Sequence, residues 1–172
     1  MTERTGLVTL RGNPVTLLGS PVSVGESAPD FVVVAADMGE KRLSDFRGRT
    51  VVLTTVPSVE TKVCDTETRT FNERATSLGD DVVVLTVSMD LPMAQKRWCA
   101  AAGVDRVELL SDYRYRSVSD LYGVRIRENG LLARAVFVID PQGVLRYEQI
   151  VPEVATEPDY DAALAAAAEA AG

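Results

Sequence analysis

Two cysteines and no histidine limit the chemistry open to this chain of 172 residues. Lack of histidine excludes Ser-His-Asp and Cys-His catalysis in their usual forms and removes the commonest metal ligand. Two isolated cysteines also fall short of the four Cys or His ligands that structural zinc wants, so neither metal nor cofactor is expected. What remains is thiol chemistry. Cys64 follows a β-branched apolar run at residues 50–56, stopped by Pro57, and lies in the first turn of the helix expected next. Backbone N–H groups in a first turn lack intrahelical partners and present positive potential. That potential favours a thiolate, which is the nucleophilic form. Pro57 stiffens the approach and carries no N–H of its own. Thr61 stands three residues before Cys64, where its hydroxyl either caps the helix or reaches the sulfur. Position alone fits an inert, buried Cys64 with Thr61 as a plain cap about equally well.

Arg134 sits inside residues 131–139, where every neighbour is apolar. An unpaired charge is costly to bury. It therefore lies at an exposed strand start, or pairs with a carboxylate, or faces a thiolate at the adjacent helix tip. In the last case its fork of donors could also hold a peroxide oxygen as the O–O bond breaks. Cys99, beside Trp98 in mid-helix, reads on its own as a core cysteine. Its interest comes from Cys64, because a sulfenic acid condenses with a nearby thiol to a disulfide. The two thiols fall on different helices flanking one sheet, and helix axes pack roughly 8–10 Å apart. A disulfide needs Cα atoms within about 7 Å, so forming one is expected to unwind part of one or both helices.

Sequence patterning supplies the elements that must hold these groups. Gly12-Asn13-Pro14, between apolar residues 7–10 and 15–18, reads as the turn of an N-terminal hairpin. Residues 31–35, 50–56, 82–88 and 107–110 read as strands, and 132–140 with 144–150 as an antiparallel pair around Pro141-Gln142-Gly143. Helices are expected over 63–78, from Asp90-Leu91-Pro92 (Asp90 near the cap, Pro92 in the first turn) to 102, over 115–122, and from Pro158 into the alanine-rich tail 162–171. Their order predicts an α/β fold with a central mixed β-sheet flanked by helices. A thioredoxin-like fold matches that pattern, as do other α/β architectures.

Bulk properties agree. With 46% apolar and 25% charged residues, the chain is an ordinary globular protein. One domain over 1–172 is expected, with 1–19 as its hairpin extension. A net charge of −7 argues against nucleic acid and anionic membranes as partners. The N-terminus has no basic start followed by an apolar stretch, and no run approaches membrane-spanning length, so a cytoplasmic protein is expected. Thiols there stay reduced unless they are catalytic or redox-sensing.

The run Pro57-Ser58-Val59-Glu60-Thr61-Lys62-Val63-Cys64 resembles the peroxiredoxin active-site motif Pro-x-x-x-Thr-x-x-Cys. Gly12-Asn13-Pro14-Val15-Thr16, Ser88-Met89-Asp90-Leu91-Pro92, Arg97-Trp98-Cys99, Ala133-Arg134-Ala135-Val136 and Thr156-Glu157-Pro158-Asp159-Tyr160-Asp161 resemble one branch, the bacterial thiol peroxidases, which are atypical two-cysteine peroxiredoxins. The likeness runs over essentially the whole chain. It implies a thioredoxin-like fold with an N-terminal hairpin, a peroxidatic Cys64 and a resolving Cys99. Thr61 and Arg134 would orient peroxide and stabilise the thiolate, with Pro57 shielding the site. It also implies recycling by thioredoxin, a leaning toward alkyl hydroperoxides and a homodimer. Glu60 and Trp98 depart from the Asp and Phe more usual in the branch.

The expected activity is thus reduction of hydrogen peroxide and organic hydroperoxides to water and alcohols. The alternative is a non-catalytic redox sensor or relay using the same cysteines. A thioredoxin-like disulfide reductase fits less well, because Thr61 and Glu67, not a second cysteine, flank Cys64 at three residues' distance.

Overall fold

The structure, a computed structural model, describes residues 1–172. β1 (Glu3–Leu10) and β2 (Asn13–Leu18) form the expected hairpin. Its turn, however, is Arg11-Gly12 rather than Gly12-Asn13-Pro14. Both turn residues have positive φ, 51° and 81°, as a tight two-residue hairpin turn requires. Pro14 pairs with Thr9 inside β2. β8 (Arg125–Ile126) meets β2 only at Leu17 and Leu18, so no neighbour needs the N–H that proline lacks.

The main sheet has seven strands. In spatial order they are β10 (Leu145–Ile150), β9 (Ala135–Ile139), β5 (Thr50–Thr55), β6 (Val82–Ser88), β7 (Val107–Ser111), β3 (Val32–Val34) and β4 (Glu40–Arg42). β5, β6 and β7 run parallel, and the other pairings are antiparallel. The sheet is therefore mixed, as patterning predicted. Crossovers are made by α1 (Lys62–Ala75) and α2 (Pro92–Ala102). α3 (Ser117–Leu121) and α4 (Tyr160–Ala171) complete the helices, and a 3-10 turn spans Leu43–Phe46. β4, β8 and the 3-10 turn were not expected; β4 is Glu-Lys-Arg, whose charges mask the strand pattern and suit a sheet edge.

Alternation along the central strands sorts the core into two layers. Val51, Leu53, Leu85, Phe137 and Ile139 face one side, packing with Phe31, Val118 and Tyr122. Val52, Val84, Val136 and Val138 face the other, against Phe71 and Ala75 of α1 and Ala163, Leu164 and Ala167 of α4. All six β5 residues are buried, as a strand covered on both faces should be. No helix is long and apolar enough to cross a membrane.

Two boundaries matter for the chemistry. β9 begins at Ala135, so Arg134 stands just before the strand rather than within it. Asp90 does not cap α2; Leu91 takes that position with Pro92 in the first turn. Asp90 instead accepts hydrogen bonds from Ser58 Oγ (2.7 Å), the Val59 N–H (3.0 Å) and Ser88 Oγ (2.6 Å). It thereby ties the loop before α1 to the end of β6.

Candidate active site

The site begins where β5 ends. Val56 and Pro57 stay buried, and the loop to Thr61 turns the chain into α1. Thr61 is the N-cap: its hydroxyl accepts the Cys64 N–H at 3.3 Å and donates to the Ser58 carbonyl at 3.2 Å. Of the two roles open to Thr61, capping is the one the hydrogen bonds show. Cys64 falls in the first turn and is fully buried.

Arg134 reaches that turn from the segment before β9, which Thr55 Oγ1 fastens to β5 by donating to the Ala133 carbonyl at 2.8 Å. Its side chain is only 2% exposed, and all three guanidinium nitrogens have partners. Nη2 donates to Cys64 Sγ at 3.2 Å, Nη1 to Glu67 Oε2 at 2.5 Å and Nε to the Val154 carbonyl at 2.8 Å. The sequence left a carboxylate and a thiolate as competing partners for Arg134, and the structure supplies both. A guanidinium held at three points keeps one donor aimed at the sulfur.

Glu67 is the residue sequence reasoning missed. One turn after Cys64, it shares with Phe71 and Ala75 the buried face of α1. A carboxylate at such an apolar-face position was the available signal. Burial pushes its carboxyl up to about 7, with Arg134 pulling the other way and Glu157 adding to the rise. Its Oε1 is buried without a hydrogen-bond partner.

A cleft of about 250 Å³ opens beside this cluster. Its lining includes Pro57, Thr61 and Arg134, three of the five residues singled out from sequence, and apolar Leu10, Val63, Ile126, Leu131 and Val154. Cys64 is not among the residues that line it, though its hydrogen-bond partners Arg134 and Thr61 are. Two larger clefts, about 330 and 600 Å³, lie around Asp140 and Arg146 and around Phe46 and Arg106, and neither contains a thiol.

Cys99 is not brought to this cluster. It is half-buried on α2 and borders a separate cleft of about 210 Å³ with Gln95, Lys96 and Glu108. Both cysteines are free. Burial pushes the Cys99 thiol up.

Residues 24–148 match the AhpC/TSA family. The thiol peroxidase of Oceanobacillus iheyensis is 52% identical over 91% of this chain and 95% of its own. That of Bacillus subtilis is 48% identical over 93% and 95%. Among solved structures, the peroxiredoxin-like protein from Aquifex aeolicus superposes with a TM-score of 0.89 at 46% identity, covering 96% of both chains.

Proposed function

The chain belongs to the AhpC/TSA family and is a thiol peroxidase of the peroxiredoxin type, and we propose that it reduces hydrogen peroxide and organic hydroperoxides through Cys64, with Cys99 as the resolving thiol. The observation that carries this reading is the Arg134 Nη2 donor 3.2 Å from Cys64 Sγ, on a guanidinium that also lines the cleft.

The Cys64 thiolate attacks the terminal oxygen of the hydroperoxide. An S–O bond forms as the O–O bond breaks, the sulfur loses two electrons to the peroxide, and an alkoxide or hydroxide leaves and takes up a proton. Arg134 lies where it can donate to the oxygen on which charge develops. Pro57 and Thr61 bound the path, and the apolar lining supports organic hydroperoxides as substrates. Because Sγ is buried, access needs an outward movement of the first turn of α1, a helix end that opens at low cost.

The Cys99 thiol then attacks the Cys64 sulfenic acid, giving a disulfide and water. Thioredoxin, a dithiol reductant, reopens the disulfide by exchange and leaves oxidised itself. The reading includes a homodimeric protein working in the cytoplasm.

A peroxide assay coupled to thioredoxin and its reductase tests this. Many turnovers per chain are expected from the native protein and none from Cys64→Ser. Cys99→Ser should consume one equivalent and stall. A single stoichiometric oxidation of the native chain would instead identify a redox sensor.

A further inference from the structure

We infer that Arg69 is a positioning residue for the second chemical step: it clasps the segment that carries Cys99, and its release limits how fast the disulfide forms. The inference rests on the reading that Cys99 resolves Cys64.

The segment is bracketed at both ends. On the N-terminal side Gln95 is buried, and its Nε2 donates to Ser88 Oγ at 3.0 Å and the Leu110 carbonyl at 2.8 Å. On the C-terminal side Asn72 of α1 accepts the N–H groups of Asp105, Arg106 and Val107 at 3.1, 2.6 and 3.2 Å. Between these fixed points lie residues 96–104, with Cys99 among them. No residue of α2 after Gln95 is buried. Its second half is held by its own ladder, by the half-buried Trp98 and Cys99 packing against the core beneath, and by the left-handed cap at Gly103, and segments with no fully buried residue open first.

Arg69 adds a restraint from α1. It lies on α1 five residues after Cys64. Its Nε donates to both carboxylate oxygens of Asp65 at 3.1 Å, which sets the direction of the guanidinium. Nη1 donates to the Ala102 carbonyl at 3.3 Å, in the last turn of α2. The guanidinium carbon lies 5.5 Å from the centre of the Trp98 ring, within range for a cation–π contact. No other side chain of α1 hydrogen-bonds to residues 96–104. Thus one residue on the helix of the attacking thiol grips the segment of the resolving thiol on either side of Cys99. To reach Cys64, the Cys99 sulfur must leave α2 geometry, and both Arg69 contacts must break. Until they do, the Cys64 sulfenic acid persists and stays open to a second peroxide.

Trp98 is the chain's one tryptophan, so its fluorescence reports release of the clasp. Reduced protein is mixed rapidly with peroxide, and disulfide formation is followed through Trp98 and by quenched mass analysis. Arg69→Ala should speed the disulfide-forming phase about three- to tenfold, the range for one exposed cation–π contact and a weak charge-assisted bond. Arg69→Lys, which keeps a cation but loses the fork, should fall between. The fraction overoxidised to sulfinic acid at high peroxide should drop with the same ranking. An unchanged or slower phase in Arg69→Ala would overturn the inference. If the native protein forms no disulfide with peroxide, the resolving role of Cys99 itself fails, and the inference with it. Hydrogen exchange on the reduced proteins gives a readout independent of turnover. Arg69→Ala and Trp98→Leu should both raise exchange at 99–104 and leave 105–107 protected. Uniform exchange across both stretches would mean a merely structural role.

Discussion

At the scale of residues, the site is an ion pair with a sulfur on one side of it. Arg134 and Glu67 are buried together, and a buried pair stays tolerable only while both partners are present. Replacing Arg134 by alanine removes the donor at Cys64 and leaves the Glu67 carboxyl buried without its partner. A loss of about 10²–10³ in kcat/KM for peroxide is expected, read from steady-state kinetics. Glu67 sets a pH dependence whose sign follows from its shift. Its folded value of about 7 lies above the ordinary 4.5, so the folded state holds the proton more tightly than the unfolded one. The stability this contributes is complete below about pH 4.5 and is lost as pH rises through about 7. Native protein should therefore lose stability relative to Glu67→Gln between pH 5 and pH 8. Parallel stability curves for the two proteins would contradict the assignment.

At the scale of elements, the two thiols belong to two helices with unequal holds. α1 buries Cys64, Glu67, Thr68, Phe71 and Ala75 and is pinned by its Thr61 cap. α2 is anchored at Gln95 and loosens toward Gly103, whose φ of 69° is left-handed. A Cβ at Gly103 would meet nothing within 4 Å, so Gly103→Ala costs backbone strain alone. About 1 kcal/mol is expected from the left-handed penalty, felt as faster amide exchange in 99–104. Oxidation should act on the same stretch. In the disulfide form, limited proteolysis should cut near residues 96–104, where the reduced form resists, and identical digests would argue against helix unwinding.

At the scale of the whole molecule, the hairpin outside the main sheet builds one wall of the cleft. Glu153 joins it to the loop after β10, accepting from the Gly12 N–H at 2.8 Å, Thr9 Oγ1 at 3.0 Å and its own loop's Ala155 N–H at 2.7 Å. The next residue, Val154, gives its carbonyl to Arg134 and its N–H to the Thr9 carbonyl at 2.9 Å. Hairpin, loop and guanidinium are thus one connected unit. The Ala155 N–H, then that of Gly12, hold the Glu153 carboxyl at about 2, below the ordinary 4.5. Its contribution is present above about pH 4.5 and fades as pH falls toward 2. Glu153→Gln should loosen the hairpin at neutral pH, visible as faster exchange of the Thr9 and Gly12 amides, and should lower activity by freeing the Val154 carbonyl from its place behind Arg134.

Local pattern alone determined much of this. Continuous apolar runs and β-branching marked the buried strands β5 and β6, because burial on both faces selects such residues regardless of what lies opposite. Cys64, Thr61 and Pro57 were legible because a strand end, a cap and a first turn are contiguous in the chain. The isolated charge in an apolar run flagged Arg134 as needing a partner. Which partner it takes was decided only by tertiary structure, since Glu67 is 67 residues away and its distance from Arg134 depends on how α1 lies across the sheet. The same holds for Asp90, read locally as a cap but taken up by Ser58 and Ser88, and for the Arg69 grip on Ala102. Short-range periodicity records which face of an element is dry. Hydrogen bonds between distant segments leave no periodic trace, because each needs a single polar residue whose complement can lie anywhere along the chain.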